Sequence, residues 1–382
     1  MKKVLGLILE LNPYHKGHEY FIKKAIEKVN PDVTIAIISS SFTMRGDPMV
    51  MDKFSKTKIL LQNNIDIVLE LPFISGVNSS DYFSKNCVDI LNSFNVTDIC
   101  FGTENDDLDY LQKLVELNES EIFNQTILKY INNGFSYSTA SLKAIYDITL
   151  DNKIAESFSL PNNTLAIGYL KAINKTSIIP HVIKRIDNNY YDENLSEQYS
   201  SATAIRNELN LGNDISSQIP NYNYNFLKPY ELENNLYKLL QYNLINNTNI
   251  TSIKGINEGI ENRLLNFINE KTYQDFIKNV ITKRYSINKI KRIILYILLN
   301  IDKKYENKYL NYIRVLGIDE IGKKHISSLP KEIKKEIITS FKNNDNDLIQ
   351  IELKATKLYG IITNNYNIYK EEFNIPYRKD NC

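Results

Sequence analysis

The sequence predicts a doubly wound parallel α/β domain followed by a mainly helical domain. Three observations carry that expectation. Short apolar runs alternate with helix-patterned stretches in the first half of the chain. A polar loop, Asn12 to His18, joins the first apolar run to the first helix pattern. Beyond Pro229 the pattern is helical, with little strand character. An alternating βαβ order is satisfied by a parallel sheet covered by helices through right-handed crossovers.

Val4–Leu9 is a continuous apolar run, as expected of a strand buried on both faces. Gly17–Val29 carries Phe21, Ala25 and Val29 at helical spacing. Val33–Ile38 reads as a second buried strand, Lys53–Gln62 as a helix, and Ile65–Leu71 as a third strand ended by Pro72. Ser79–Phe94 reads as a helix and Asp98–Phe101 as a fourth strand stopped by Gly102. Residues 107–175 look mainly helical, with Pro161-Asn162-Asn163 opening one helix. Ile178–Ile186 suits a further strand and Ser201–Leu209 a short helix. The Asn-rich stretch Gly212–Asn225 is the candidate linker. It divides the chain into an expected nucleotide domain, 1–212, and an expected basic helical domain, 226–382, with Ile287–Leu299 and Leu348–Tyr359 as amphipathic helices. Ligands of such sheets bind beyond the carboxyl ends of the strands, where strand order reverses. The loops after the first, second and fourth strands are therefore the places to search.

The 382 residues are 43% hydrophobic and 24% charged, the balance of a globular protein rather than a disordered one. Net charge is +1, so no global field points to a polyanion or a membrane. The balance hides an asymmetry: residues 251–382 carry about eight more Lys and Arg than Asp and Glu. Such a half suits a polyanion partner, though on composition alone a solvated Lys-rich helical surface is the simpler reading. Cys87, Cys100 and Cys382 have no metal-ligand spacing and fit structural thiols in a reduced compartment. The amino-terminal apolar run is short, has no small-residue cleavage site and leads into a polar loop. No run approaches the roughly 20 apolar residues of a membrane span. A cytoplasmic protein is expected.

The chemistry is concentrated in His15-Lys16-Gly17-His18, after a buried strand and before a helix. Two imidazoles at a helix start can donate to phosphate oxygens, and the free N–H groups and helix dipole favour the same anion. They would stabilise charge developing on an α-phosphate and on departing pyrophosphate. Gly17 lets the backbone approach the phosphates, and Pro13 holds the preceding turn. No third ligand lies nearby, so zinc is not expected. A second element is Ser201-Ala202-Thr203-Ala204-Ile205-Arg206. Ser201 would cap a helix start and Arg206 would reach a phosphate from its first turns.

Together these elements resemble the nucleotidyltransferase superfamily with its His-x-Gly-His loop. A closer resemblance runs through Gly6-Leu7-Ile8-Leu9-Glu10-Leu11-Asn12-Pro13-Tyr14-His15-Lys16-Gly17-His18 and Ser41-Phe42-Thr43-Met44-Arg45-Gly46-Asp47-Pro48 with Asp52-Lys53. It continues through Leu69-Glu70-Leu71-Pro72, Phe101-Gly102-Thr103-Glu104, Pro161-Asn162-Asn163, Ile183-Lys184-Arg185-Ile186 with Tyr190, and Ile313-Arg314-Val315-Leu316-Gly317. In that order the segments are similar to the bacterial tRNA(Met) cytidine acetate ligase family. The resemblance implies an ATP-dependent ligase. It would form acetyl-adenylate from ATP and acetate, then pass the acetyl group to N4 of the wobble cytidine of elongator methionine tRNA. It implies ATP contacts along Ile8, Leu9, Glu10, Leu11, Asn12, Pro13, Tyr14, His15, Lys16, Gly17, His18, Glu19, Tyr20 and Phe21. It adds Gly102 under the adenine or ribose, Asn162 or Asn163 as a polar contact, and Arg185 with Ile186 near the phosphates, beside Ser201 and Arg206. His15 and His18 would steady the triphosphate, and Arg45 and Lys53 would hold acetate or phosphate charge. Mg2+ is expected with the triphosphate, held mainly by phosphate oxygens and water.

The chain departs from the family pattern at Leu11, at Thr43-Met44, at Asp187-Asn188-Asn189 and at Tyr191. Two other functions fit the His loop alone: a small-molecule nucleotidyltransferase, and a non-catalytic RNA-binding protein. For tRNA, the densest basic stretch is Lys283-Arg284, Lys289, Lys291-Arg292 and Lys303-Lys304. The sequence does not fix the oligomeric state.

Overall fold

The computed structural model describes residues 2–104, 106–185, 199–220, 224, 226–247, 249–306, 308 and 310–381. The strands are β1 (Val4–Leu9), β2 (Val33–Ser39), β3 (Ile67–Leu71), β4 (Asp98–Thr103), β5 (Ile179–Lys184), β6 (Ile313–Ile318), β7 (Ile337–Ile338) and β8 (Tyr377–Arg378). Their order in the sheet is β5-β4-β1-β2-β3-β6-β7, with β8 paired to β6. All neighbours are parallel except β3 and β6. Apolar side chains on both faces explain why β1 and β2 read as largely hydrophobic runs and β3 as one broken by Glu70: helices cover both sides.

The crossover β1–α1 (Lys16–Val29)–β2 leads on through α2 (Lys53–Gln62) to β3. Helix α3 (Ser80–Ser93) then returns the chain to the far side of β1, where β4 pairs. Strand order therefore reverses between β1 and β4. Helix α4 (Pro161–Ile173) leads into β5, and α5 (Ala202–Leu211) follows with Ser201 as its cap, its Oγ accepting from Ala204 N at 3.0 Å. Farther on, α6 (Ile287–Leu298) and α7 (Asp347–Ile362) match the two amphipathic stretches of the sequence.

Two points differ from the sequence reading. Residues 313–318 return to the sheet as β6, antiparallel to β3, so the second half is not purely helical. One continuous apolar core holds β1 and α2 side chains together with Leu236, Phe276, Ile294 and Tyr359 of the second half. The described part of the linker stretch is also fixed: Gln218 is buried, its carbonyl accepts from Lys16 N at 2.9 Å, and its side chain accepts from Ser200 N at 3.0 Å. Cys87 and Cys100 are buried free thiols, and Cys382 lies outside the described residues. Among the described residues no helix is long and apolar enough to cross a membrane.

Candidate active site

Beyond the carboxyl ends of β1 and β4 lies a cavity of about 250 Å3. Ile8, Leu9, Glu10, Leu11 and Asn12 run along it from β1. The loop after β2 brings Thr43, Met44, Arg45 and Asp47, and β4 brings Phe101 and Gly102. The start of α4 supplies Asn162, the end of β5 supplies Arg185, and the start of α5 supplies Ser201 and Arg206. His15, Gly17, His18, Tyr20 and Phe21 face it from the start of α1.

His15 caps α1 from an extended conformation, and its Nδ1 accepts the Gly17 N–H at 3.0 Å. That nitrogen therefore carries no proton, and the neutral ring keeps its proton on Nε2 as a donor. A Cβ on Gly17 would sit 2.8 Å from His15 Cε1, so the glycine also makes room for the imidazole. The His15 and His18 rings are 4.0 Å apart between centroids. Burial, then the charges of His18, Arg185 and Arg206, push His15 well below the usual histidine range. Burial, then Arg185, pushes His18 down to about 3. Among the described residues His18 Nδ1 is buried without a hydrogen-bond partner.

Both imidazoles are thus neutral in the folded protein at neutral pH, whereas an unfolded chain titrates histidine near pH ~6.5. As pH falls from about 6.5 the unfolded state binds protons first. The stability that neutral His18 contributes is complete above that pH and is lost toward about 3. The melting temperature of the ligand-free protein should therefore fall more steeply below pH ~6.5 than that of His18→Asn. Parallel curves would mean that His18 is protonated in the fold.

The loop between Ser41 and Pro48 is held from both sides. Glu10 Oε1 accepts from Met44 N at 2.7 Å, and burial raises the pKa of that carboxyl against this hydrogen bond and Arg45. On the other side Asp47 Oδ1 accepts from Lys291 Nζ of α6 at 2.5 Å. Burial works against the Asp47 charge, but Lys291, Arg206 and Arg45 outweigh it and lower its pKa. Leu11 takes a left-handed conformation, φ 56°, and the next peptide, Asn12-Pro13, is cis. Asn12 is locked at both ends: its Oδ1 accepts from Val50 N at 2.8 Å and its carbonyl from Arg206 Nη1 at 2.6 Å. Glu104 binds the first turn of α4, accepting from Asn162 N at 3.1 Å, Asn162 Nδ2 at 2.6 Å and Asn163 N at 2.9 Å. Between the two asparagines, Asn162 lines the cavity, while Asn163 is buried and donates to the Ser157 carbonyl.

Several expected residues stand elsewhere. Pro13, Tyr14, Lys16 and Glu19 do not line the cavity. Ile186, Tyr190, Tyr191 and the 187–189 turn lie outside the described residues. Lys53 is the clear correction. It is 1% exposed, and its ammonium sits among Glu70, Glu352 at 3.1 Å and Glu372 at 2.7 Å. Its charge is spent inside the protein and none of it faces the cavity. Lys291 is likewise committed, to Asp47 and to Glu233 at 3.5 Å. It braces the loop carrying Arg45 and is not a free tRNA contact.

The sequence reading missed Phe83, Leu165, Tyr169 and Tyr199 in the cavity wall. The first three lie on α3 and α4, where apolar residues at helical spacing are indistinguishable from core. Asp47 carried a weak signal, standing two residues after Arg45.

The family profile described as HIGH Nucleotidyl Transferase matches residues 1–374. A tRNA(Met) cytidine acetate ligase of Clostridium kluyveri is 33% identical, over 98% of this chain and 98% of its own length. One from Clostridium perfringens is 33% identical over 94% and 95%. A crystal structure of Thermotoga maritima TmcAL without ligand aligns with a TM-score of 0.86 and 26% identity, covering 98% of this chain and 99% of that one. The same protein bound with alpha-thio ATP aligns at 0.82, covering 98% and 100%. The chain belongs to the tRNA(Met) cytidine acetate ligase family of HIGH nucleotidyl transferases.

Proposed function

We propose that this protein joins acetate to the wobble cytidine of elongator methionine tRNA at the expense of ATP. The observation that carries the reading is the meeting in one cavity of neutral His15 and His18 with Arg45, Arg185 and Arg206. An acetate oxygen attacks the α-phosphorus, the bond to pyrophosphate breaks, and acetyl-adenylate forms. His15 donates from Nε2 without first needing a proton, which suits a group that stabilises charge rather than transfers a proton. The arginines supply fixed positive charge to the phosphates as pyrophosphate leaves. In the second step the cytidine N4 amine attacks the acetyl carbonyl, AMP departs, and the amine loses a proton. An anticodon loop offers unpaired bases to such a cleft, and Phe83, Phe101, Tyr169 and Tyr199 give it flat apolar walls.

Mg2+ accompanies the triphosphate in this reading. Phosphate oxygens and water would hold the cation. Substrates of this kind suit a cytoplasmic enzyme. The test is pyrophosphate release from ATP by the purified protein, with and without acetate and the tRNA, followed by mass spectrometry of the tRNA nucleosides. Acetate-dependent release with N4-acetylcytidine in the digest is expected. Release that depends on a phosphorylated small molecule and not on acetate would overturn the reading.

A further inference from the structure

We infer that Lys254, Lys289 and Arg292 form a second anion site, which grips a backbone phosphate of the tRNA beside the base that enters the catalytic cavity. The inference rests on the tRNA reading above and adds to it a contact outside the ATP cavity, since none of the three residues lines that cavity.

Tyr285, Lys289, Arg292 and Tyr296 recur at spacings of four, three and four, which places them along one face of α6 and the turn before it. Lys254 approaches this face from a separate turn. Its backbone N–H donates to the Ile301 carbonyl at 2.8 Å, and its Nζ lies 4.9 Å from the centre of the Tyr296 ring. Lys289 Nζ lies 3.8 Å from the centre of the Tyr285 ring. Both tyrosines are pinned by their hydroxyls, Tyr285 to the Asn257 carbonyl and Tyr296 to the Val77 carbonyl, each at 2.5 Å. The aromatic floor under the cations is therefore rigid.

What distinguishes this cluster from a solvated helix face is a buried ammonium without an acceptor, beside two half-buried cations. Lys254 is 5% exposed, and among the described residues its Nζ has no hydrogen-bond acceptor. A buried ammonium without an acceptor is strongly unfavourable, and a ligand oxygen supplies what is missing. Among the described residues no ion pair or hydrogen bond engages the side chain of Lys289 or Arg292. The nearby carboxylates do not fill the gap: Glu258 is taken by Arg284, and Glu306 is exposed and bonded to none of the three. Burial lowers the pKa of all three groups, Lys254 to about 8, and the charge of Arg292 adds to the effect on both lysines. Two point charges and one planar fork gathered on one helix face suit the oxygens of a phosphodiester.

The helix that carries two of the three cations packs against a loop that lines the catalytic cavity. Gly46 has φ 96°, and a Cβ there would lie 2.8 Å from Arg292 N, so the loop after β2 is seated on the backbone of α6 at this point. Arg45, the neighbour of Gly46, lines the cavity. A nucleotide whose base occupies the cavity carries its own phosphates toward that rim.

The test uses the full-length protein with elongator methionine tRNA and the variants Lys254→Met, Lys289→Gln and Arg292→Gln, alone and combined. The combined variant should bind the tRNA at least roughly tenfold more weakly, and the slope of log affinity against log salt should fall by about one. Acetate-dependent pyrophosphate release in the absence of tRNA should stay at the wild-type rate. Lys254→Met should not lower the melting temperature, because it removes an unpaired buried charge. Unchanged tRNA affinity and salt slope, in a wild-type enzyme that makes acetylcytidine, would overturn the site and leave the functional reading standing. Weakened tRNA binding in variants of an enzyme that makes no acetylcytidine would keep the site and sink that reading. If the wild type binds no tRNA while inorganic phosphate raises its melting temperature and not that of Lys254→Met, the site serves a free anion and the inference fails.

Discussion

His18→Ala should lower acetylcytidine formation by roughly 10²- to 10³-fold, the usual cost of removing one preorganised donor from a developing oxyanion. The loss should appear in single-turnover formation of acetyl-adenylate, before tRNA is added. Stability should not follow activity. The described contacts of the His18 ring are with His15 at 4.0 Å and Tyr14 at 5.9 Å, and its buried Nδ1 makes no hydrogen bond among the described residues. Deleting the ring removes an unsatisfied polar atom along with some packing, so the ligand-free melting temperature should shift little. His18 is neutral in the fold, so its service to a phosphate is as a dipole and donor, and the loss in the alanine variant should vary little between pH ~6.5 and 8. Wild-type activity in His18→Ala would remove the imidazole from the mechanism. A loss that tracked a fall in melting temperature would assign it to structure instead.

The nucleotide half was legible because its signals are local. β1 and β2 announce themselves as largely apolar runs, and β3 as one broken by Glu70, since both of their faces are covered. His15 and His18 stand between a strand and a helix within a few residues, so periodicity and chemistry point to the same place. Arg206 reads as a phosphate cation from its place at a helix start, and the structure adds its bond to the Asn12 carbonyl. What the sequence could not show depends on distant partners. Lys53 and Arg45 are both cations after the same strand, and nothing in their neighbourhood separates them. The separation comes from Glu352 and Glu372, some 300 residues away in the chain, which claim Lys53 and leave Arg45 at the cavity. β6 was hidden for a similar reason: it joins a sheet begun much earlier, between β3 on one side and the two-residue strands β7 and β8 on the other, and its Arg314 breaks the apolar pattern expected of a buried strand.

That same cluster gives the largest expected effect on stability. Lys53→Met should destabilise the protein by about 3–5 kcal/mol, the range seen when one partner of a buried ion pair is removed. The wild-type cluster sets two cations, Lys53 and Arg314, among three carboxylates, Glu70, Glu352 and Glu372, all buried. Burial acts against the Lys53 charge, but the three carboxylates outweigh it and hold its pKa above the usual lysine range. Removing the ammonium leaves three carboxylates facing one guanidinium in a dry interior, where unpaired charge is poorly tolerated. The residues come from α2, β3, β6, α7 and the 3₁₀ turn at Ile368–Phe373, so the cluster fastens the second half of the chain to the sheet. Urea unfolding should show a lower midpoint for Lys53→Met. The double variant Lys53→Met/Glu352→Met should recover part of the loss, because an apolar pair replaces an ionic one and one excess carboxylate is gone. The competing idea, that Lys53 holds acetate or phosphate, expects the opposite pattern: a raised KM for acetate or ATP with an unchanged unfolding midpoint. The two readings therefore part on a single pair of measurements, and burial at 1% with carboxylates on every side favours the structural one.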